Sequence, residues 1–492
     1  MLYLPDNWDS AMAMGPHLLY AAVMLASRGD VAPAVLHFLA GCVFILWVWQ
    51  FTRRRFGAPA GYAAAAVLAT IPMMVHLVIA PMVDVFFALF AMGAFVQLLV
   101  FFERRRPASI VLAAVFAAFS AGAKYSGLVN VAAVLILSAA AVFFGKAKPA
   151  AARALFIAAV AATLIACPWY VRNYLWTGNP VFPSAKAVFG GPGWDAPSWT
   201  TPDGGDPRYA VLHHSLTNML LAPWRVTVNV ETTSGGISEL IGPAFVVFLP
   251  LVLLMRSRRR LFLHVGLYCL VMFALIYWTG PRPRTRYFLP VMPATAALVG
   301  AGLVFLRRYS RPAFWIGRAV VLLTVATGLA VAALYGASFA GVVFHLTPRD
   351  RFLARSTDFY GEYRWMNANT PPDAKILIQA TNDLYYSPRP SMRLGLSSAY
   401  THCDSGAVFA LDAAGTPDRA FARMRELGIT HIFTGGNLVS DASSSAGRIL
   451  GELLSDGRLE KVLEGTATRG TRNPLASQRE EHVEFYSLVQ EE

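Results

Sequence analysis

The sequence predicts a polytopic α-helical membrane protein that closes with a small C-terminal α/β domain on the extracytoplasmic side. Three observations predict it. Apolar residues make up 56% of the 492-residue chain and charged residues only 14%, whereas a soluble protein carries roughly a quarter charged residues. The apolar residues gather into runs near the length of about 20 residues that a helix needs to cross a bilayer. Basic residues cluster between those runs at regular intervals, as the positive-inside rule requires.

The runs lie at 32–51, 57–80, 84–102, 108–123, 126–144, 154–170, 238–255, 261–279, 287–306 and 313–340. The second contains Pro72 and the fourth is short. Between them stand Arg53-Arg54-Arg55, Arg104-Arg105-Arg106, Lys146 with Lys148 and Arg153, Arg256 with Arg258-Arg259-Arg260, and Arg307-Arg308 with Arg311. Two runs separate each consecutive pair of clusters, so all five fit on the cytoplasmic side. This placement accounts for the net charge of +13 without nucleic acid.

The other side then receives residues 1–31 as an interfacial segment, the connection at 81–84, the turn at 123–126, a long loop at 171–237, the loop at 280–286 and everything beyond 341. The expected domains are 1–31, a ten-span membrane domain at 32–340, and an outer domain at 341–492. In the outer domain, 375–379, 429–433 and 483–489 read as strands. Residues 416–427 read as a helix with Thr416 as N-cap and Pro417 at its first position. Cys42, Cys167 and Cys269 lie in or beside apolar runs and Cys403 stands alone. They show no disulfide framework and no zinc spacing, and no cofactor is called for.

Polar residues on the outer side carry the candidate chemistry. Asp84 starts a run directly after Pro81-Met82-Val83, where a helix cap or first-turn acid also belongs. Lys124 and Tyr125 occupy a turn, where a snorkelling lysine is the ordinary occupant. Trp169-Tyr170 runs into Arg172-Asn173 and then Thr177-Gly178-Asn179-Pro180, an ordered turn. Arg282, Arg284 and Arg286 crowd a loop on the side that should be poor in basic residues. Guanidinium groups offer phosphate oxygens paired donors at fixed geometry; contact with anionic lipid is the plainer use.

In order and placement, Asp84 after a proline, Lys124-Tyr125-Ser126-Gly127-Leu128, Pro168-Trp169-Tyr170-Val171-Arg172-Asn173, Gly178-Asn179-Pro180-Val181-Phe182-Pro183 and Arg286-Tyr287-Phe288-Leu289-Pro290 resemble bacterial GT-C-type glycosyltransferases, relatives of the protein O-mannosyltransferases and lipid A aminoarabinose transferases. Trp365-Met366-Asn367, Pro372-Asp373-Ala374-Lys375 and Tyr385-Tyr386 resemble the start of that family's C-terminal domain. The resemblance covers about residues 5–440.

It implies an inverting hexosyl- or pentosyltransferase of the bacterial inner membrane, with its active site and C-terminal domain facing the periplasm or exterior. The implied donor is a sugar on undecaprenyl phosphate, and the acceptor is a cell-envelope glycan, lipid or protein hydroxyl. Asp84, matching the family's second acidic position, is the implied catalytic-site carboxylate that assists acceptor or donor positioning, with Asp9 and Asp6 as weak candidates for the base. Lys124, Arg282, Arg284 and Arg286 bind the donor phosphate, and Tyr125, Arg172, Asn173, Asn179 and Tyr287 line the site. A transporter or flippase of a lipid-linked glycan shares the span count. So does a non-catalytic membrane protein with an outer binding domain.

The N-terminus carries a further expectation. Residues 1–31 fall outside with nothing before them to carry them across, and residues 1–6 have neither the basic start nor the apolar core of a signal peptide. Segment 10–27 resembles the interfacial helix that follows the family's first outer loop. The chain is therefore expected to lack the first span and, with it, the acidic loop that supplies the family's base. The competing path inserts 10–27 as a span from a cytoplasmic N-terminus.

Overall fold

The structure, a computed structural model, describes residues 11–29, 31–144, 149–182, 184–191, 215–228, 240–255, 258–279, 285–379, 389–395, 408–435, 445–469 and 479–489. Helix α1 (Gly15–Ser27) precedes α2 (Val31–Phe56), whose last turn holds Arg53, Arg54 and Arg55, cations at the negative end of the helix dipole. Gly57 takes a φ of 95°, a conformation open to glycine at no steric cost, and α3 (Ala58–Thr70) packs back along α2. Gly61 makes that pairing close: a Cβ there would stand 2.8 Å from the Arg53 Cβ.

The 57–80 run is not one helix. Pro72 has no N–H and drives the residue before it out of the helical region. Ile71 accordingly has φ −57° and ψ 136°, and α3 meets α4 (Pro72–Ile79) at a 66° bend. The chain continues through α5 (Asp84–Arg104), α6 (Pro107–Ala123), α7 (Ser126–Phe143) and α8 (Pro149–Thr177). After α9 (Leu216–Val228), α10 (Ala244–Phe248) tightens into a 3-10 stretch at Leu249–Leu254, where Pro250 withholds a helical N–H. Then come α11 (Arg259–Thr279), a 3-10 stretch Thr285–Val291, α12 (Met292–Tyr309) and α13 (Arg311–Val343).

Seven of the expected crossings are long and apolar enough to span a bilayer among the described residues: α2, α5, α7, α8, α11, Thr285–Tyr309 and α13. The bent pair α3–α4 makes an eighth. The runs at 108–123 and 238–255 form shorter helices, as does 15–27. The protein is thus a multi-pass helical membrane protein. Its chain divides into two compact units, one of Met12–Leu175 with Ser198–Ala333, the other of Trp176–Pro197 and Leu334–Glu492 with Met1–Ala11.

In the first unit α5 and α12 are the most buried helices, and Phe44, Phe87, Phe95, Phe101 and Tyr268 are fully enclosed. Small residues set the closest approaches, as expected where lipid tails are as apolar as the helices and packing decides association. A Cβ on Gly300 would stand 2.2 Å from the Ala60 carbonyl oxygen, and one on Gly328 would stand 1.7 Å from that of Thr70.

The second unit contains α14 (Arg349–Ser356), α15 (Tyr360–Asn369), α16 (Pro417–Glu426), α17 (Ser445–Ser455) and strands β1 (Ile376–Gln379), β2 (Ser391–Gly395), β3 (Val408–Ala410), β4 (His431–Gly435), β5 (Leu459–Arg469) and β6 (Arg479–Leu488). The sheet order is β3-β2-β1-β4-β6-β5. The first four strands are parallel; β6 and β5 close it antiparallel. Leu377, Ile432 and Tyr486 pack with α16 and α17 on one face, while Ile376, Ile378, Phe433 and Phe485 pack with α15 on the other. A period of two sends neighbours to opposite faces, and helices on both faces explain why Ile376–Ile378 of β1 and Ile432–Gly435 of β4 are buried on both sides. The Thr416 hydroxyl caps α16 as expected, accepting from the Arg419 N–H.

Candidate functional site

Asp84 is the first residue of α5, and only 2% of it is exposed. The cap position belongs to Val83 and receives no side-chain bond. The Asp84 carboxylate is taken instead by Lys124, whose Nζ lies 2.7 Å from Oδ1. It stands in the first turn of α5, where the helix dipole attracts an acidic side chain.

Lys124 is placed by a tight turn. It ends α6 in extended backbone, with φ −159°, while Tyr125 starts α7. Gly127 permits the turn: a Cβ there would lie 2.1 Å from the Ser120 carbonyl. The ammonium also sits 4.5 Å from the centroid of the Tyr287 ring, and the Arg286 guanidinium sits 5.7 Å from the same centroid. Both residues stand in the 3-10 stretch before α12. Cations over an aromatic face are attracted by its quadrupole. His76 on α4 lies within electrostatic reach of both Asp84 and Arg286.

Tyr125 leads to a second group. The Asn173 amide donates to the Tyr125 hydroxyl. The Tyr125 and Tyr170 rings are 5.8 Å apart, and the Tyr170 hydroxyl donates to the Ala121 carbonyl at 3.0 Å. Arg172 donates to the Met12 carbonyl at 2.6 Å and to the Asn173 side-chain oxygen at 3.1 Å. Its guanidinium also covers the Trp169 ring at 5.4 Å. The structure therefore brings Asp84, Lys124, Arg286 and Tyr287 together, and joins Tyr125, Arg172 and Asn173 to them through the 124–125 turn.

Asn179 lies in the other unit, where it is fully buried and bonded to its own loop. It donates to the carbonyls of Ser184 and Gly190 and accepts from the Val181 N–H. Asp6, Asp9, Arg282 and Arg284 fall outside the described residues.

Among the described residues one group has the composition of a metal site: Glu464, His482 and Glu484, with ligand atoms within 4.8 Å of one another. Glu464 and Glu484 face each other across β5 and β6. Lys461 already bridges them, at 3.0 and 3.1 Å. Its hydrogen bonds hold the Glu464 carboxyl below the usual range, and the two carboxylates raise the lysine in return.

Comparisons with known proteins follow the fold. The family described as "Domain of unknown function (DUF8201)" matches residues 15–293. No curated protein matches the sequence. The ArnT of Cupriavidus metallidurans, in a crystal structure bound to undecaprenyl phosphate, is 15% identical, with a TM-score of 0.55 over 96% of this chain and 88% of that one. Its apo form gives 15% and 0.55 over 97% and 87%. An oligosaccharyltransferase of Archaeoglobus fulgidus, in complex with zinc and sulfate, gives 14% and 0.44 over 86% and 59%. The likeness to ArnT is one of fold, and the expected GT-C type of fold is borne out.

Proposed function

This chain belongs to the DUF8201 family, and from its fold and its buried ion pair we propose that it is a membrane glycosyltransferase. It moves a sugar from a polyprenyl-phosphate donor to an extracytoplasmic glycan, lipid or protein hydroxyl. The observation that carries the reading is the Asp84–Lys124 pair beside Arg286 and Tyr287. Such a site offers an anionic leaving group two cations and an acceptor hydroxyl a carboxylate. The fold shared with ArnT, a protein crystallised with undecaprenyl phosphate, supports the class of donor.

In this reading the donor phosphate binds Lys124 and Arg286, joined by Arg282 and Arg284. The ammonium then divides itself between phosphate and Asp84, and the carboxylate becomes the better proton acceptor. The acceptor hydroxyl gives its proton to Asp84 and its oxygen bonds to the anomeric carbon. The bond from that carbon to the phosphate oxygen breaks on the opposite side, inverting the centre, and polyprenyl phosphate leaves with the electron pair. Cations aimed at the oxygen where charge develops lower the barrier. Tyr125, Arg172 and Asn173 form the adjoining wall.

The test is transfer in proteoliposomes from undecaprenyl-phosphate-linked sugars to envelope lipid and glycan acceptors. Wild type should transfer, and Asp84→Asn should lose most activity while inserting normally. Full activity in Asp84→Asn would return that residue to a structural role. The bend between α3 and α4 favours a second reading, translocation of a lipid-linked glycan, since broken helices line many transporter sites. Movement of labelled lipid across the bilayer without transfer would select it.

A further inference from the structure

Pro81 leaves a gap in the backbone just before Asp84. In a continuing helix the carbonyl of residue 77 accepts from the N–H of residue 81, and proline has none. The backbone before it is also turned out of the helix, with Ala80 at φ −106° and ψ 122°. His37, on α2 and fully buried, fills the gap with Nε2 2.8 Å from the Leu77 carbonyl oxygen. A carbonyl only accepts, so this nitrogen carries a proton. On the other side of the ring, Nδ1 lies 2.6 Å from the hydroxyl of Tyr20 on α1, and that hydroxyl donates to the Met82 carbonyl at 2.8 Å. Phe86, one turn into α5, packs on both rings at 6.0 and 6.1 Å.

Leu77 and Met82 are the two ends of the connection that delivers Asp84 to the site. We propose that Tyr20 and His37 are positioning residues for Asp84: together they tie both ends of this connection, fixing where α5 starts and holding the carboxylate against Lys124. The catalytic consequence rests on the functional reading above; the tie itself does not. The row from Leu77 through His37 and Tyr20 to Met82 contains three hydrogen bonds and ends in an acceptor at each side. A neutral imidazole brings one proton and Tyr20 another, so the tyrosine proton serves both His37 and Met82. Loss of the Tyr20 hydroxyl therefore removes the donor to Met82 and a partner of His37 together.

The test is amide hydrogen–deuterium exchange on the full chain in lipid nanodiscs, with sugar transfer measured on the same preparations. Tyr20→Phe keeps the ring and removes only the hydroxyl; His37→Gln keeps one donor and one acceptor and serves as the conservative variant. Tyr20→Phe should speed exchange at residues 83–88 by about five- to tenfold, the worth of one neutral hydrogen bond, and His37→Gln by less. Transfer kcat should fall with donor KM unchanged, and Tyr20→Phe should add nothing in an Asp84→Asn background, because coupled residues are non-additive. Wild-type exchange at 83–88 in Tyr20→Phe overturns the proposal whether or not the chain transfers sugar. Faster exchange at 83–88 in a chain whose wild type transfers nothing keeps the tie and removes the functional reading.

Discussion

Lys124 Nζ and Asp84 Oδ1 meet at 2.7 Å across 40 positions of sequence, and their burial is unequal: 3% of the Asp84 side chain is exposed against 19% of Lys124. Removing the ammonium strands a buried carboxylate, at a cost of about 3–5 kcal/mol. Asp84→Asn leaves an amide oxygen for Lys124 and should cost about 1 kcal/mol. Thermal unfolding in nanodiscs should rank wild type and Asp84→Asn above Lys124→Met. The double variant should recover part of the loss, since it no longer strands a charge. Equal stability of the two single variants would contradict the pairing.

Arg286 gives the second prediction. Its place beside the Tyr287 ring suits a fork-shaped cation better than a flexible ammonium. Loss of one charged hydrogen bond costs about 1.5–3 kcal/mol, roughly ten- to a hundredfold in affinity. Arg286→Ala should weaken undecaprenyl phosphate binding by that factor, and Arg286→Lys should restore only part of it. Unchanged binding in Arg286→Ala would remove it from the phosphate site.

The features legible in the sequence are those set by local chemistry. Proline and glycine near a run's edge mark helix ends, so the starts of α5 at Asp84, α7 after Lys124-Tyr125 and α16 after Thr416 could be placed by reading. Buried strands β1 and β4 stood out by their apolar centres, Ile376-Leu377-Ile378 and Ile432-Phe433. Strand β2, Ser-Met-Arg-Leu-Gly, has no continuous apolar stretch, β3 has three residues, and β5, Leu-Glu-Lys-Val-Leu-Glu, alternates too weakly to register. Partner choice was also hidden. Asp84 on its own read more readily as a helix cap or first-turn acid, because nothing local says that Lys124 will reach it. Tyr20 and His37 were missed outright, although the missing N–H of Pro81 was a signal that some donor had to approach Leu77.

Two glycines of α13 should respond oppositely to alanine. At Gly328 a Cβ would collide with the Thr70 carbonyl, while at Gly336 nothing lies within 4 Å. Gly328→Ala must part α13 from α3 and should cost about 1–3 kcal/mol or more. Gly336→Ala should be neutral or gain about 0.5–1 kcal/mol from helix propensity. Unfolding temperatures that move together would show that α3 and α13 do not pack this closely.

The positive-inside arrangement predicts sidedness. Tyr309 is exposed beside Arg307 and Arg308, and Ser455 is exposed at the end of α17. In a background free of native cysteines, a membrane-impermeant maleimide should label Ser455→Cys in spheroplasts and Tyr309→Cys only after permeabilisation. The reverse pattern would put the C-terminal domain in the cytoplasm and end the extracytoplasmic reading.

Asn179 supplies the last prediction, because its polar atoms are spent on its own loop. The amide nitrogen donates at 2.9 Å to Ser184 and 3.1 Å to Gly190, and the oxygen accepts at 2.9 Å from the Val181 N–H. Asn179→Asp keeps the shape and the acceptor but sets a carboxylate against two carbonyl oxygens. Ionisation is then resisted in the folded loop, so the folded pKa is raised above the unfolded value of about 3.9. The folded state binds more protons, and stability falls as pH rises through that range. Below it the protonated acid donates again and regains one bond. Subtilisin at pH 7 should therefore cut the 178–191 loop of Asn179→Asp faster than that of wild type, while pepsin at pH 3 should separate the two much less. If both proteases leave the variant loop as resistant as the wild type, the amide is not what closes this turn, and its value to the protein must lie in contacts with a ligand.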